Sequence, residues 1–258
     1  MQRGIENAKL TMALLTDTTD VFSASEASER CAVLFIASAL GTAARAPTAA
    51  ATVWPRVAAV LQGFSEQGWH LSLRQMIEPS SKIGPMVFDT GFAHDADYVG
   101  VFEAPDISSA LAGTVQLEQA GWSSCYATRW LLGSREFAAV HAQGPSIGRD
   151  WGFIALWEWN DAWAAADAEE RRAYDAECDI AFQHDLALNV NISGRHRLDF
   201  ASSWHHLGMW EADRPDTVDA AMLGHEDAAD FRFTTSRHYI GQRKPLAQMF
   251  GIASGEPL

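Results

Sequence analysis

The stretch WGFIALWEWNDAWAAADAEERRAYDAECDIAFQHD, residues 151–185, decides the fold. Its first ten residues are apolar and aromatic, which is the pattern of a buried strand. The remaining twenty-five open on Asp161, a helix-capping residue, and are rich in Ala, Glu and Arg, so they read as one long helix over 161–185. Toward the C-terminus, NVNISGRHRLDF (189–200) and SSWHHLGMWE (202–211) read as a β-hairpin. RPDTVDAAMLGHEDA (214–228) reads as a second helix and FRFTTSRHYIG (231–241) as a final strand. Toward the N-terminus the same order precedes it. CAVLFIASALG (31–41) is a buried strand, GTAARAPTAAAT (41–52) a loop, and VWPRVAAVLQGFSEQG (53–68) a helix with Val53, Val57, Val60, Leu61 and Phe64 at helical spacing. Trp69, Leu71 and Leu73 alternate with His70, Ser72 and Arg74, which predicts a half-buried strand over 69–77. DYVGVFEA (97–104) is a strand, PDISSALAGTVQLEQAG (105–121) a helix capped by Asp106, and WSSCYATRWLL with REFAAV (135–140) further strand material. The order β-α-β-β-α-β therefore occurs twice. The fold class expected is α+β, as tandem ferredoxin-like repeats of the dimeric α+β barrel type with antiparallel sheets. The units expected are an N-terminal arm over 1–30, a first unit over 31–145 and a second over 150–245 that carries the site.

With 258 residues the chain can bury a core of this size. Its net charge of −14 argues against nucleic acid and against anionic membrane surfaces, which repel an acidic protein. Cys31, Cys125 and Cys178 are odd in number and include no CxxC, so neither a disulfide framework nor a zinc ribbon is expected. Glu6, Asp17, Asp20, Glu26 and Glu29 are the wrong charge for a signal peptide, and the run 31–41 is too short to span a bilayer. These features point to a cytoplasmic protein acting on a small molecule. Ten tryptophans are either core and subunit interface or the wall of an aromatic pocket. Exposed sheet edges tend to be paired, which predicts a homodimer or higher homo-oligomer.

The residues that bear chemistry cluster in the second unit. His196, His205 and His206 stand within the hairpin among Arg195, Arg197 and Asp199. Alternation puts His196 on one face with Leu198, and Arg195, Arg197 and Asp199 on the other, while His205 and His206 point opposite ways. This charged face is either a solvated surface or the wall of a site. His225 lies three residues after Met222 and seven after Val218 on one helical stripe, where it is either a satisfied core residue or a ligand. His238 follows Arg237 in a strand that is normally apolar on both faces.

FIALWEWNDAWAAADAEERRAYDAE, the hairpin, and VDAAMLGHEDAADFRF together resemble the C-terminal half of the haem-containing aldoxime dehydratases. More loosely they resemble the chlorite dismutase superfamily, which shares the tandem ferredoxin-like protomer. The points of contact are Trp163, Ala168, Glu169, Glu170, Arg171 and Tyr174 on the long helix, Gly208 and Trp210 on the hairpin, and His225 beyond it. YVGVFEAPD in the first half resembles the corresponding strand-to-helix junction. The resemblance implies haem b with His225 as its axial metal ligand and Met222 and Trp210 beside it. It also exposes departures. Trp159 stands where the family places a serine, Ala228 stands at the place of a second histidine, and no histidine follows His238. Arg149 is the nearest candidate for the family's distal arginine. The distal groups are therefore expected from His206, His238, Arg197, His196 and Arg149. The implied function is a haem-dependent enzyme on a small nitrogen- or oxygen-containing substrate, nearest to dehydration of an aldoxime to a nitrile. The alternatives are a haem-free barrel oxygenase or cyclase on an aromatic compound, and a non-enzymatic haem or small-molecule carrier.

Overall fold

The computed structural model describes residues 29–41, 49–144, 148–228 and 230–253. Most of the expected arm over 1–30 lies outside them. Eight strands close into one barrel: β1 (Cys31–Ala39), β2 (Met86–Asp89), β3 (Tyr98–Ala104), β4 (Tyr126–Arg135), β5 (Trp151–Trp159), β6 (Asn191–Arg197), β7 (His206–Ala212) and β8 (Thr234–Pro245). Their order round the barrel is β1-β3-β2-β8-β5-β7-β6-β4, and every pairing is antiparallel. The first four strands run β4-β1-β3-β2 and the last four β8-β5-β7-β6, so both halves have the same topology. They join edge to edge through β2 with β8 and β4 with β6. The expected α+β fold with antiparallel sheets is present, and the two sheets join into one closed barrel. Closure removes the sheet edges on which the expectation of an oligomer rested.

Alternation sorts the side chains of each strand into two cores. Leu34, Val101, Ile154, Leu156, Leu207 and Met209 fill the barrel interior. The outer face of the first half is covered by α1 (Trp54–Glu66) and α3 (Ile107–Gln119), through Val57, Leu61, Phe64, Ala110 and Leu117. The outer face of the second half carries Phe153, Ala155, Ile192 and Trp210 beneath α5 (Ala168–Ala187) and α6 (Pro215–Asp227).

Three local expectations fail, each for a visible reason. Residues 69–77 make a single bridge from His70 to Glu103 and then form α2 (Leu73–Ile77). Ser72 caps that helix by accepting from Gln75 N, and Leu73, Met76 and Ile77 plug the barrel interior. The helix expected over 161–185 is two helices. Asn160, not Asp161, caps α4 (Asp161–Ala165), and Asp167 caps α5 through a reciprocal capping box with Glu170. Beyond β4 the segment 136–140 makes isolated bridges at Phe137 and Val140, the latter to Ile192, in place of the expected strand. A short helix α7 (Asp230–Phe233) precedes β8, and Ala49–Val53 forms a helical turn within the expected loop.

Candidate functional site

Between the outer face of the second half and its helices lies a cavity of about 340 Å³, within the ~300–1,000 Å³ usual for small-molecule sites. The sheet wall is set by alternation. On β8, Thr234, Ser236 and His238 point outward in turn; on β5, Phe153, Ala155, Trp157 and Trp159 do the same. The helix wall comes from α5, which presents Tyr174, Cys178 and Phe182 at four-residue spacing, and from α6, which presents Met222 and His225. Trp210 on β7 closes the inner end.

His225 is buried, and its Nε2 lies 3.0 Å from Asp185 Oδ2 near the end of α5. The same oxygen accepts from Trp210 Nε1 at 2.9 Å. Asp185 is fully buried, so the carboxylate fixes the imidazole plane from inside the protein. A carboxylate on one ring nitrogen sets the tautomer and raises the basicity of the other. His238 faces the cavity from the sheet side, with its ring 5.1 Å from that of Phe153 and 6.0 Å from that of Phe231. One imidazole therefore stands on each wall. At the rim, Arg195 reaches the cavity while donating to Glu136 at 2.8 Å and lying 4.4 Å over the Phe137 ring. Asp175 and Asp179 border the cavity on α5. Burial pushes the Asp175 carboxyl up, against the pull of Arg195.

Of the residues singled out in the sequence, the cavity brings together His225, Met222, Trp210 and His238. His206 is on the same outer face but one ring removed. It stacks on Trp157 at 5.4 Å and meets Trp159 edge-on at 5.5 Å. Burial, with help from Arg195, pushes its imidazole down to about 4. His196 points the other way, into the barrel. It is fully buried 3.7 Å from Glu103, and burial lowers its pKa. Glu103 also pairs there with Arg30 at 2.7 Å, Arg135 at 2.6 Å and His70 at 2.9 Å. Burial works against its charge, but the surrounding histidines and Arg135 prevail and hold its carboxyl well below the usual range. Arg197 is exposed and pairs with Asp199 at 2.9 Å. Arg149 is buried away from the cavity, donating to Asn189 O at 2.8 Å. Asp185 was not singled out in the sequence. The available signal was its place on the stripe Tyr174, Cys178, Phe182, Asp185 of an otherwise highly charged helix.

No family model matches the chain, and no curated sequence matches it. Solved structures do. A variant of the chlorite dismutase of Candidatus Nitrospira defluvii superposes with a TM-score of 0.67 at 13% identity, over 86% of this chain and 94% of that one. The same enzyme in complex with imidazole gives 0.66 at 13% identity, over 87% and 94%. A further variant in complex with cyanide gives 0.64 at 12%, over 87% and 95%. At these identities the shared property is the fold, which extends over nearly the whole of both chains. Among the described residues no helix is long and apolar enough to cross a membrane.

Proposed function

We propose that the protein is a haem b enzyme, with His225 as the axial ligand and His238 as the group that moves a proton to and from the substrate. The observation that carries this is the pair of imidazoles on opposite walls of one aromatic cavity, the helix-side one anchored by a buried carboxylate. Among the described residues no cluster of three or more His, Cys, Asp or Glu could hold a bare metal ion. A metal bound by His225 must bring most of its ligands with it, as the iron of a porphyrin does. The lining suits such a guest, with Phe153, Trp157, Phe182, Trp210 and Met222 offering flat apolar contact. Arg195 is the cation of the rim for a carboxylate. The complexes of the fold relative with imidazole and with cyanide, both lone-pair ligands of metals, agree with this reading.

We extend the proposal to dehydration of an aldoxime to a nitrile. Haem iron would supply a Lewis-acidic seat for the oxime nitrogen. The reaction is redox-neutral: the N–O bond breaks, the hydroxyl leaves as water, and the carbon-bound proton departs as the C≡N bond forms. His238 can give the proton that the leaving hydroxyl needs and take the one that carbon releases, so it ends the turnover as it began. Phe153 and Phe231 hold its ring from two sides. Trp159, at the place of the family's serine, stacks on Trp163 at 4.2 Å and supplies no hydroxyl to the substrate. Ser236, one outward position from His238 on β8, is the hydroxyl that lines this wall.

The test is nitrile formation from an aldoxime under anaerobic, reducing conditions by haem-supplemented wild type and His238→Ala. Wild type should turn over, and His238→Ala should retain haem while losing about 10²- to 10⁴-fold in rate. Equal turnover by the two proteins would remove His238 from the chemistry. No nitrile from haem-loaded wild type, across aliphatic and aromatic aldoximes, would overturn the dehydratase assignment.

A further inference from the structure

Helix α2 plugs one end of the barrel, where Arg135 at the end of β4 donates to Met76 O at 3.3 Å. At the other end lies a second cavity, of about 350 Å³, between the end of β1, the loop at 95–96 and the beginnings of β4 and β8. Alternation turns Arg237 and Tyr239 of β8 inward to this mouth, on the face opposite to Ser236 and His238. Round the barrel β4 and β8 stand four strands apart in either direction, so Arg129 and Arg237 approach the mouth from opposite walls. Ile36 and Tyr239 pack on the interior core and form the floor, while Asp95 and Arg129 are exposed at the rim. Arg237 is fixed in place. Its Nη2 donates to Asp95 Oδ2 at 2.7 Å and its Nε donates to the Tyr239 hydroxyl at 2.8 Å. Tyr239 is only 2% exposed, and since its oxygen accepts from Arg237, its O–H is left to donate. The Arg129 guanidinium, by contrast, has no ion pair or hydrogen bond among the described residues.

We infer that this mouth is a second binding site, for a small organic carboxylate held between Arg129 and the Tyr239 hydroxyl. Charge is the first argument. The mouth gathers two guanidiniums against one carboxylate, and Arg237 already takes that carboxylate, so Arg129 is left as an uncompensated cation in a chain of net charge −14. Donor geometry is the second. The planar fork of an arginine matches a carboxylate through two parallel bonds, and Tyr239 adds a donor from the floor. Lining is the third. Ile36, Ala96, Ala127 and the Tyr239 ring offer apolar contact to an organic body, while Asp95 at the rim opposes the second charge of a phosphate. An exposed ion pair such as Arg237 with Asp95 adds little to stability by itself. Here it orients the cation that in turn fixes the buried phenol. Mouths of β-barrels are recurrent ligand sites. This one lies on the other side of the sheet from the cavity beneath α5 and α6, and the inference does not rest on haem.

The experiment titrates the full chain with benzoate by calorimetry, with benzamide and inorganic phosphate as rival probes. The benzoate titration is repeated on Arg129→Gln, Tyr239→Phe and Arg195→Gln, with circular dichroism as the control for folding. Arg129 is exposed, so its replacement leaves the fold intact. Wild type should bind benzoate saturably, and benzamide and phosphate at least about tenfold more weakly, as for loss of one charge-assisted hydrogen bond. Arg129→Gln should weaken benzoate by at least about tenfold and Tyr239→Phe by about fivefold. Arg195 belongs to the other cavity, and Arg195→Gln should bind benzoate as wild type does. Wild type that binds no benzoate, or Arg129→Gln that binds it equally well, would overturn the inference. Loss of binding in Arg195→Gln with retention in Arg129→Gln would overturn it too, by moving the carboxylate to the cavity of the second half. Phosphate bound more tightly than benzoate would contradict the ligand class.

Discussion

At the scale of single residues, burial decides what each histidine can do. His206 lies against two tryptophan rings with Arg195 nearby, and its imidazole is pushed down to about 4. A base whose folded pKa is depressed stabilises the fold fully above its unfolded value, near 6.5, and that stability is lost as pH falls through the folded value. Between pH 7 and pH 4 this one residue should therefore cost the fold about 3 kcal/mol. His206→Gln should flatten the urea-unfolding stability over that window by this amount, and an unchanged pH slope would show that the ring is not held neutral. The sequence showed that His206 was unusual for a strand. It did not show which neighbours enclose it, because Trp157 and Trp159 lie across a strand pairing. Asp185 was hidden for a similar reason: it stands forty residues before His225, and only the docking of α6 on α5 brings the two side chains to 3.0 Å.

At the scale of elements, helices were legible where caps and periodicity agreed, as for α3 behind Asp106, whose carboxylate accepts from Ser109 N at 2.7 Å. They were misread where two signals competed. The Ala-rich run after residue 160 hid the break that Asp167 and Glu170 impose, and six alternating residues at 69–74 concealed a capped helix. The hairpin carries a feature that alternation does not show. The β6–β7 register shifts between Ile192 and Arg195, and Gly194 there adopts a φ of 88°. Segment 136–140 folds over this bulge, with Glu136 N and Phe137 N both donating to Arg195 O, at 2.8 and 3.1 Å. A side chain at 194 would run into the backbone oxygens of Phe137 and Ala138. Gly194→Ala therefore combines a left-handed backbone with a clash against main chain, and should cost more than about 2 kcal/mol. Chemical unfolding measures this, and a loss within 0.5 kcal/mol, the usual scatter of a surface change, would contradict the account. Because Phe137 and Arg195 border the cavity, the same substitution should also loosen the site.

At the scale of the molecule, the doubled order of elements was readable in the second half, where the strands and helices carry their own periods. In the first half the strand expected over 69–77 is α2, and the true second strand, β2, has only four residues and no period to show. A barrel was expected from the doubled unit, but its two seams were not readable, since β2 meets β8 and β4 meets β6 across more than 60 residues of chain and no local pattern encodes either seam. Closure has a functional consequence. It fills the interior with Leu34, Leu156, Met209 and the plug of α2, and so leaves the outer layer beneath α5 and α6 as the place for a guest. That layer carries His225 and His238 from opposite walls, and the central claim is that a haem lies between them with its iron on His225. The measurement that tests this most directly is the absorbance spectrum during titration of purified apoprotein with haemin, for wild type, His225→Ala and His238→Ala. The account predicts a saturable Soret band at one equivalent for wild type and His238→Ala, and a weak or shifted band for His225→Ala that imidazole added to the solution restores. Wild-type protein that takes up no haem would contradict the claim outright. A normal band for His225→Ala with loss of the band for His238→Ala would place the ligand on the sheet.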